Sequence, residues 1–241
     1  MKRQETSAST AARKDRMESS SEEILHVVEL AGNSHVGTSK ETPMRKDAFE
    51  LSDQEKIEQI ADKFKDIMHI LGMDLSDDSL SGTPKRVAKM YVQEVFQGLN
   101  PANKPESKLF DNKYQYGEML VERDITVQSY CEHHFVPILG VCHVAYISSG
   151  KVVGLSKINR IVKYYSKRPQ VQERLTEQIA EELKSALNTE DVAVFIDAEH
   201  LCVSTRGVED TGSSTVTTHY SGAFKKKSVR KEFLTYVRAK G

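Results

Sequence analysis

The chain has no tryptophan, six prolines and only three cysteines, and its charges nearly cancel: 34 Lys+Arg against 35 Asp+Glu, a formal net charge of −1. Each shortage excludes something. An odd, small number of cysteines (Cys131, Cys142, Cys202) makes a poor disulfide framework, so reduced thiols in a cytoplasmic protein are expected, as ligands or as core. Balanced charge argues against a nucleic-acid coat or an obligate membrane-surface protein. No apolar run reaches the ~20 residues that a membrane helix needs. Lys2 and Arg3 are followed by no apolar stretch, which argues against a secretory signal, and Glu5, Asp15 and Glu18 count against a transit peptide. Neither a nucleic acid nor a membrane is expected as a partner.

What is present divides the chain into three. Residues 1–50 are rich in Ser, Thr, Glu and Lys with little periodicity, and are expected to form a disordered polar tail with room for a short helix over 22–30. Residues 51–118 are expected to be a helical segment. Ser52 and Glu55 have capping-box spacing; Ile57, Ile60, Ala61, Phe64, Ile67, Met68 and Leu71 then follow helical spacing up to a stop at Gly72. Thr83-Pro84 predicts a second helix, Thr as N-cap and Pro at the first helical position, running to about Gly98. From 119 to the end the period changes. Val121, Arg123, Ile125, Val127, Ser129 and Cys131 alternate with more polar neighbours as along one strand, and 141–147 reads as a second. Helices are expected over about 156–166 and 171–187, parted by Pro169. Further strands are expected over 192–198, 201–207 and 214–222, and 230–238 closes the chain as a strand or short helix. Strands and helix pairs without regular βαβ alternation predict an α+β domain over 119–241, an antiparallel sheet with packed helices.

The chemistry concentrates at "YCEHHF", Tyr130 to Phe135. Cys131 and His134 form a C-x-x-H pair, which can converge on one ion from a tight turn but needs a third ligand. If 201–207 is a strand, His200, Cys202, Ser204 and Arg206 share one face, and such a polar face suits a site. Cys142 sits in the apolar run "VCHVAYI" and reads as a small core residue. The expected ligand set is Cys131, His134 and Cys202. Three protein ligands leave the fourth position to water, the mark of a catalytic zinc; a structural zinc would need a fourth ligand, from Cys142 or another histidine. His133 and His200 remain as candidate acid/base groups.

"GLSKINRIVKYYSKRP" places Ser156, Lys157 and Arg160 at a helix start, where a hydroxyl and two cations can hold an anion. The same charges also suit a solvated helix face. Arg206 on the metal side favours an anionic substrate. Glu173 opens the next helix, where a carboxylate is favoured by the helix dipole alone and fits substrate binding equally. The residues by themselves describe a zinc-dependent hydrolase of an anionic substrate, or else a structural module around a closed zinc.

The segments "CEHHFVPILG", "GLSKINRIV", "RPQVQERLT" and "HLCVSTRG", with "DDSLSGTPKRVAKMY" upstream, closely resemble signature segments of GTP cyclohydrolase I, over residue 52 to the end. The resemblance implies the tunnelling fold (T-fold), an oligomeric barrel assembled as a homodecamer of two pentamers, and active sites between subunits. It implies that zinc-bound water attacks C8 of GTP, that the imidazole ring opens and formate leaves, and that 7,8-dihydroneopterin triphosphate results, the first step toward folate or tetrahydrobiopterin. Cys131, His134 and Cys202 would take Zn2+; His133 and His200 would move protons; Glu173, with Gln172 beside it, would hold the guanine edge. Ser156, Lys157, Arg160 and Arg206 would surround the triphosphate, with Arg86 supplied by a neighbouring subunit. The long polar N-terminus and the basic run "KKKSVRK" depart from the resemblance.

Overall fold

A computed structural model describes residues 39–106 and 109–239. Most of the expected polar tail, with its helix over 22–30, lies outside the described residues. The compact unit begins at Glu41, whose carboxylate accepts from the buried Gln178 amide at 2.8 Å.

Helix α1 (Asp53–Ile70) starts as its spacing predicts. Ser52 Oγ accepts from the Glu55 N–H, Glu55 returns a bond to the Ser52 N–H, and Gly72 follows the end with φ +82°. A short helix α2 (Asp78–Ser81) leads into α3 (Thr83–Lys89), in which Thr83 is already helical and Gly82 stands at the N-cap. The second helix does not run unbroken to Gly98. At Met90–Val95 it widens into a π-helical turn, closed by Phe96 N–H donating to Tyr91 C=O. That widening helps set Phe96 against Tyr91 (5.4 Å between centroids), Tyr130 (5.6 Å) and Phe135 (5.0 Å). The helical segment therefore packs against the turn that carries the candidate metal ligands.

Strand β1 (Leu109–Asp111) pairs antiparallel with β4 (Lys151–Val153). The main sheet has five strands in the order β5-β2-β3-β6-β7: β5 (Pro169–Gln170), β2 (Met119–Cys131), β3 (Pro137–Ile147), β6 (Val192–His200) and β7 (Thr215–Tyr220). All pairs are antiparallel except β2 with the short β5. Helices α4 (Leu155–Ser166) and α5 (Gln172–Leu187) cover one face, and their apolar residues join the core with Ile125, Val127, Val144 and Val194. Leu175, Ile179, Leu183 and Leu187 of α5 are fully buried, each contributing about 1.5–3 kcal/mol relative to exposure. The other face carries Ala145 and Ala193 under Phe224 and Phe233, the latter from the C-terminal helix α7 (Lys227–Arg238), so that closing segment is helical.

Two expectations about faces are corrected. Val121 does not share a face with Ile125: it packs with the second cluster, whereas Ile125, Val127 and Cys131 lie in the main core. A β-bulge between Glu122 and Ile125, with Asp124 at φ +55°, inserts a residue and switches the alternation. The bulge is what turns Cys131 to the helix-covered side. Residues 201–207 are also not a strand. β6 ends at His200 and Leu201–Ser204 form a single helical turn, α6.

Candidate metal and substrate site

At the end of β2 the chain reverses over 132–136. Phe135 N–H donates to the Cys131 carbonyl and Cys131 N–H to the Val136 carbonyl, each at 2.9 Å, while Phe135 adopts φ +53°. Cys202 arrives on α6, which continues β6 beyond its pairing with β3. The strand-alternation argument for Cys202 therefore fails, yet the residue reaches the place it foresaw. Ligand atoms of Cys131, His134 and Cys202 all lie within 4.8 Å of one another.

The donor set fits zinc. Two sulfurs and an imidazole are its preferred ligands. Burial raises the Cys202 thiol above its ordinary range, the neighbouring Cys131 thiol adds to this, and Arg206 opposes it. A divalent cation held by Cys131 and Cys202 would reverse that balance and stabilise both thiolates. Arg206 Nη1 donates to His134 Nε2 at 2.7 Å, so the cation stands beside the candidate ligand. Cys142 stands apart, fully buried in the core with its thiol pushed up by burial.

The two candidate acid/base histidines, His133 and His200, adjoin the candidate ligands in the chain. His133 Nδ1 lies 3.6 Å from Cys131 Sγ. His200 ends β6, and its Nε2 is 2.8 Å from Gln172 Oε1. Burial lowers the His200 pKa, and the Glu173 carboxylate partly offsets this. Glu173 sits exposed in the first turn of α5.

Ser156, Lys157 and Arg160 occupy the first two turns of α4, behind Gly154 at a cap with no side-chain bond, and the Lys157 N–H donates to the Gly154 carbonyl at 2.8 Å. Arg160 lines a cavity of about 290 Å³ with Lys163, Lys167 and Tyr164. The Arg86 guanidinium donates to the Ser79 carbonyl (3.1 Å) and to Thr83 Oγ1 (3.0 Å). Among the described residues no hydrogen bond joins it to the metal ligands.

Sequence reasoning missed two connections. Gln172 is buried, and its Nε2 donates to the Thr215 carbonyl (2.8 Å), Thr217 Oγ1 (3.1 Å) and the Ile196 carbonyl (3.3 Å). Both ends of its amide are thus committed within the protein, one of them to His200. Arg174, buried to 5 % exposure, pairs with Glu132. The signal available was polar residues at 172, 174 and 178 on a helix face otherwise filled with core residues.

The GTP cyclohydrolase I family model matches residues 60–238 of the chain. The protein named GTP cyclohydrolase 1 of Flavobacterium johnsoniae is 60% identical over 207 residues, covering 86% of this chain and 93% of that one. The protein of the same name from Erwinia tasmaniensis is 52% identical over 210 residues, covering 87% and 95%. That of Salmonella arizonae is 50% identical over 210 residues, with the same coverage of 87% and 95%.

Proposed function

We infer the chemistry of this site from one premise: the chain belongs to the GTP cyclohydrolase I family. Its activity is that of a GTP cyclohydrolase, which opens the imidazole ring of GTP at C8, releases formate and gives 7,8-dihydroneopterin triphosphate. The observation that carries the reading is the convergence of Cys131, His134 and Cys202, with His200 at the end of the strand leading to Cys202.

Cys131, His134 and Cys202 would hold zinc, which when bound supplies Lewis-acid activation of water near neutral pH. The protein's own groups do the rest. Gln172 fixes His200 with Nε2–H pointing at its amide oxygen, so Nδ1 is the atom left to accept a proton. His133 is the second proton carrier, beside Cys131. The Glu173 carboxylate accepts from guanine N1–H and the 2-amino group, a donor pair that adenine lacks. Ser156, Lys157, Arg160 and Arg206 receive the triphosphate, aided by the α4 N-terminus.

The T-fold assignment and the homodecamer belong to the same proposal. β7 forms an edge of the five-stranded sheet, with Val216 half exposed, so it can pair with another copy. Arg86, whose guanidinium bonds to Ser79 and Thr83 of its own helical segment, is supplied to a neighbour's triphosphate. No helix among the described residues is long and apolar enough to cross a membrane.

Incubation of metal-replete protein with GTP is expected to release formate and yield a product that oxidises to a fluorescent pterin. A zinc chelator should stop both. Protein that binds zinc and GTP but turns nothing over would sink the reading. Light scattering reports the oligomer.

A further inference from the structure

Glu132 is the one polar residue of "CEHH" without a role in the chemistry above. Its carboxylate meets α5, with Oε1 also 4.0 Å from His133 Nε2. Arg174 Nη1 donates to Glu132 Oε2 at 2.5 Å and Nη2 to Oε1 at 3.2 Å, a two-pronged pair. The Arg174 side chain is 3% exposed and that of Glu132 22%, so the pair is shielded from water on the helix side. The Glu132 N–H also donates to the Gln170 carbonyl at 3.0 Å, and Gln170 is itself held by its amide to Tyr165 O and Gln178 Oε1.

The position of this pair is what matters. Glu132 lies between Cys131 and His133 in the turn. Arg174 lies directly after Glu173 in the first turn of α5. The bidentate contact therefore ties the segment carrying two metal ligands to the helical turn carrying the guanine carboxylate. A planar guanidinium facing a planar carboxylate fixes direction as well as distance, which an apolar contact does not.

We propose that Glu132 and Arg174 are positioning residues that hold the metal turn in register with the first turn of α5, so that the metal and Glu173 meet the same guanine. This rests on the cyclohydrolase reading for its substrate, but its central readout does not. The full-length protein is compared with Glu132→Gln, with Arg174→Met and with the double variant Glu132→Leu/Arg174→Met. The double variant replaces both ions with packing groups, an exchange that is often neutral for stability, whereas each single variant removes one charge of the pair and keeps the other. Three quantities are measured: melting temperature, zinc affinity by competition with a chromophoric chelator, and KM and kcat for GTP. The double variant is expected to melt near wild type, yet to bind zinc at least tenfold more weakly and to show a KM for GTP at least tenfold higher. The singles should share the losses in zinc affinity and KM. A double variant that recovers zinc affinity and KM together with stability would reduce the pair to a structural one and overturn the proposal. So would wild-type zinc affinity and KM in a folded Glu132→Gln. Should wild-type protein fail to turn over GTP, the cyclohydrolase reading falls while the zinc comparison still decides the pair.

Discussion

His200 Nε2 lies 2.8 Å from Gln172 Oε1, and the direction of that bond is forced. The Gln172 amide nitrogen faces two carbonyls and a threonine hydroxyl, so its oxygen must face the imidazole, and the imidazole must donate. A buried amide on α5 thereby sets the tautomer of a histidine on β6. Replacing Gln172 with Leu is expected to lower kcat by roughly tenfold or more, as loss of an orienting partner does, with zinc content unchanged. Steady-state kinetics with metal analysis on the same sample checks this; unchanged kcat would remove Gln172 from the mechanism.

His200→Ala and Cys202→Ala should separate proton transfer from metal binding. The first is expected to keep stoichiometric zinc and lose about 10²- to 10⁴-fold in kcat. The second should lose both zinc and turnover. Equal metal loss in the two would make His200 a ligand.

Cys142→Ala provides the contrast among the three thiols. The residue is fully buried between Ile125 and Ile196 in the strand ladder, away from the ligand group. Its replacement should cost about 1 kcal/mol of stability through the small void, with zinc content and activity retained. Loss of zinc would place Cys142 at the metal.

Acid should weaken the fold through His143. This buried imidazole accepts from the Asp124 N–H at the β-bulge, at 3.3 Å. Burial lowers its pKa below the ordinary 6.5; Asp124 and Asp197 oppose the shift, and Arg123 reinforces it. A lowered value means that the unfolded chain takes up the proton first. The stabilisation is therefore complete above the unfolded pKa and is lost as pH falls through the folded one. Melting temperature should drop as pH falls below about 6.5, and less steeply in His143→Gln. Parallel curves for the two proteins would contradict this.

Gly140 is required by close approach rather than by its backbone angles. A Cβ there would collide with the Asp197 carbonyl and Ala198 of β6. Gly140→Ala should cost about 1–3 kcal/mol and lower kcat, because β6 leads directly to His200 and Cys202. Thermal melting and kinetics read both effects.

The sequence by itself determined what depends on neighbours along the chain. The capping box at Ser52, the apolar stripe of α5 and the strands over 119–131 and 192–200 express backbone preferences and spacing that hold in any context. Cys131 and His134 could be paired because a four-residue reversal has few conformations. Tertiary structure decided what depends on register between distant segments. The bulge at Arg123-Asp124 reverses the faces of β2 and brings Cys131 to the helix side, although a bulge leaves no fixed mark in composition. Cys202 reaches the site through a helical turn where alternation suggested a strand, because the pairing of β6 with β3 ends at His200. The Gln172–His200 and Glu132–Arg174 contacts join residues 28 and 42 positions apart. Only packing of α5 against the sheet brings those partners within hydrogen-bonding distance, and no local preference encodes it.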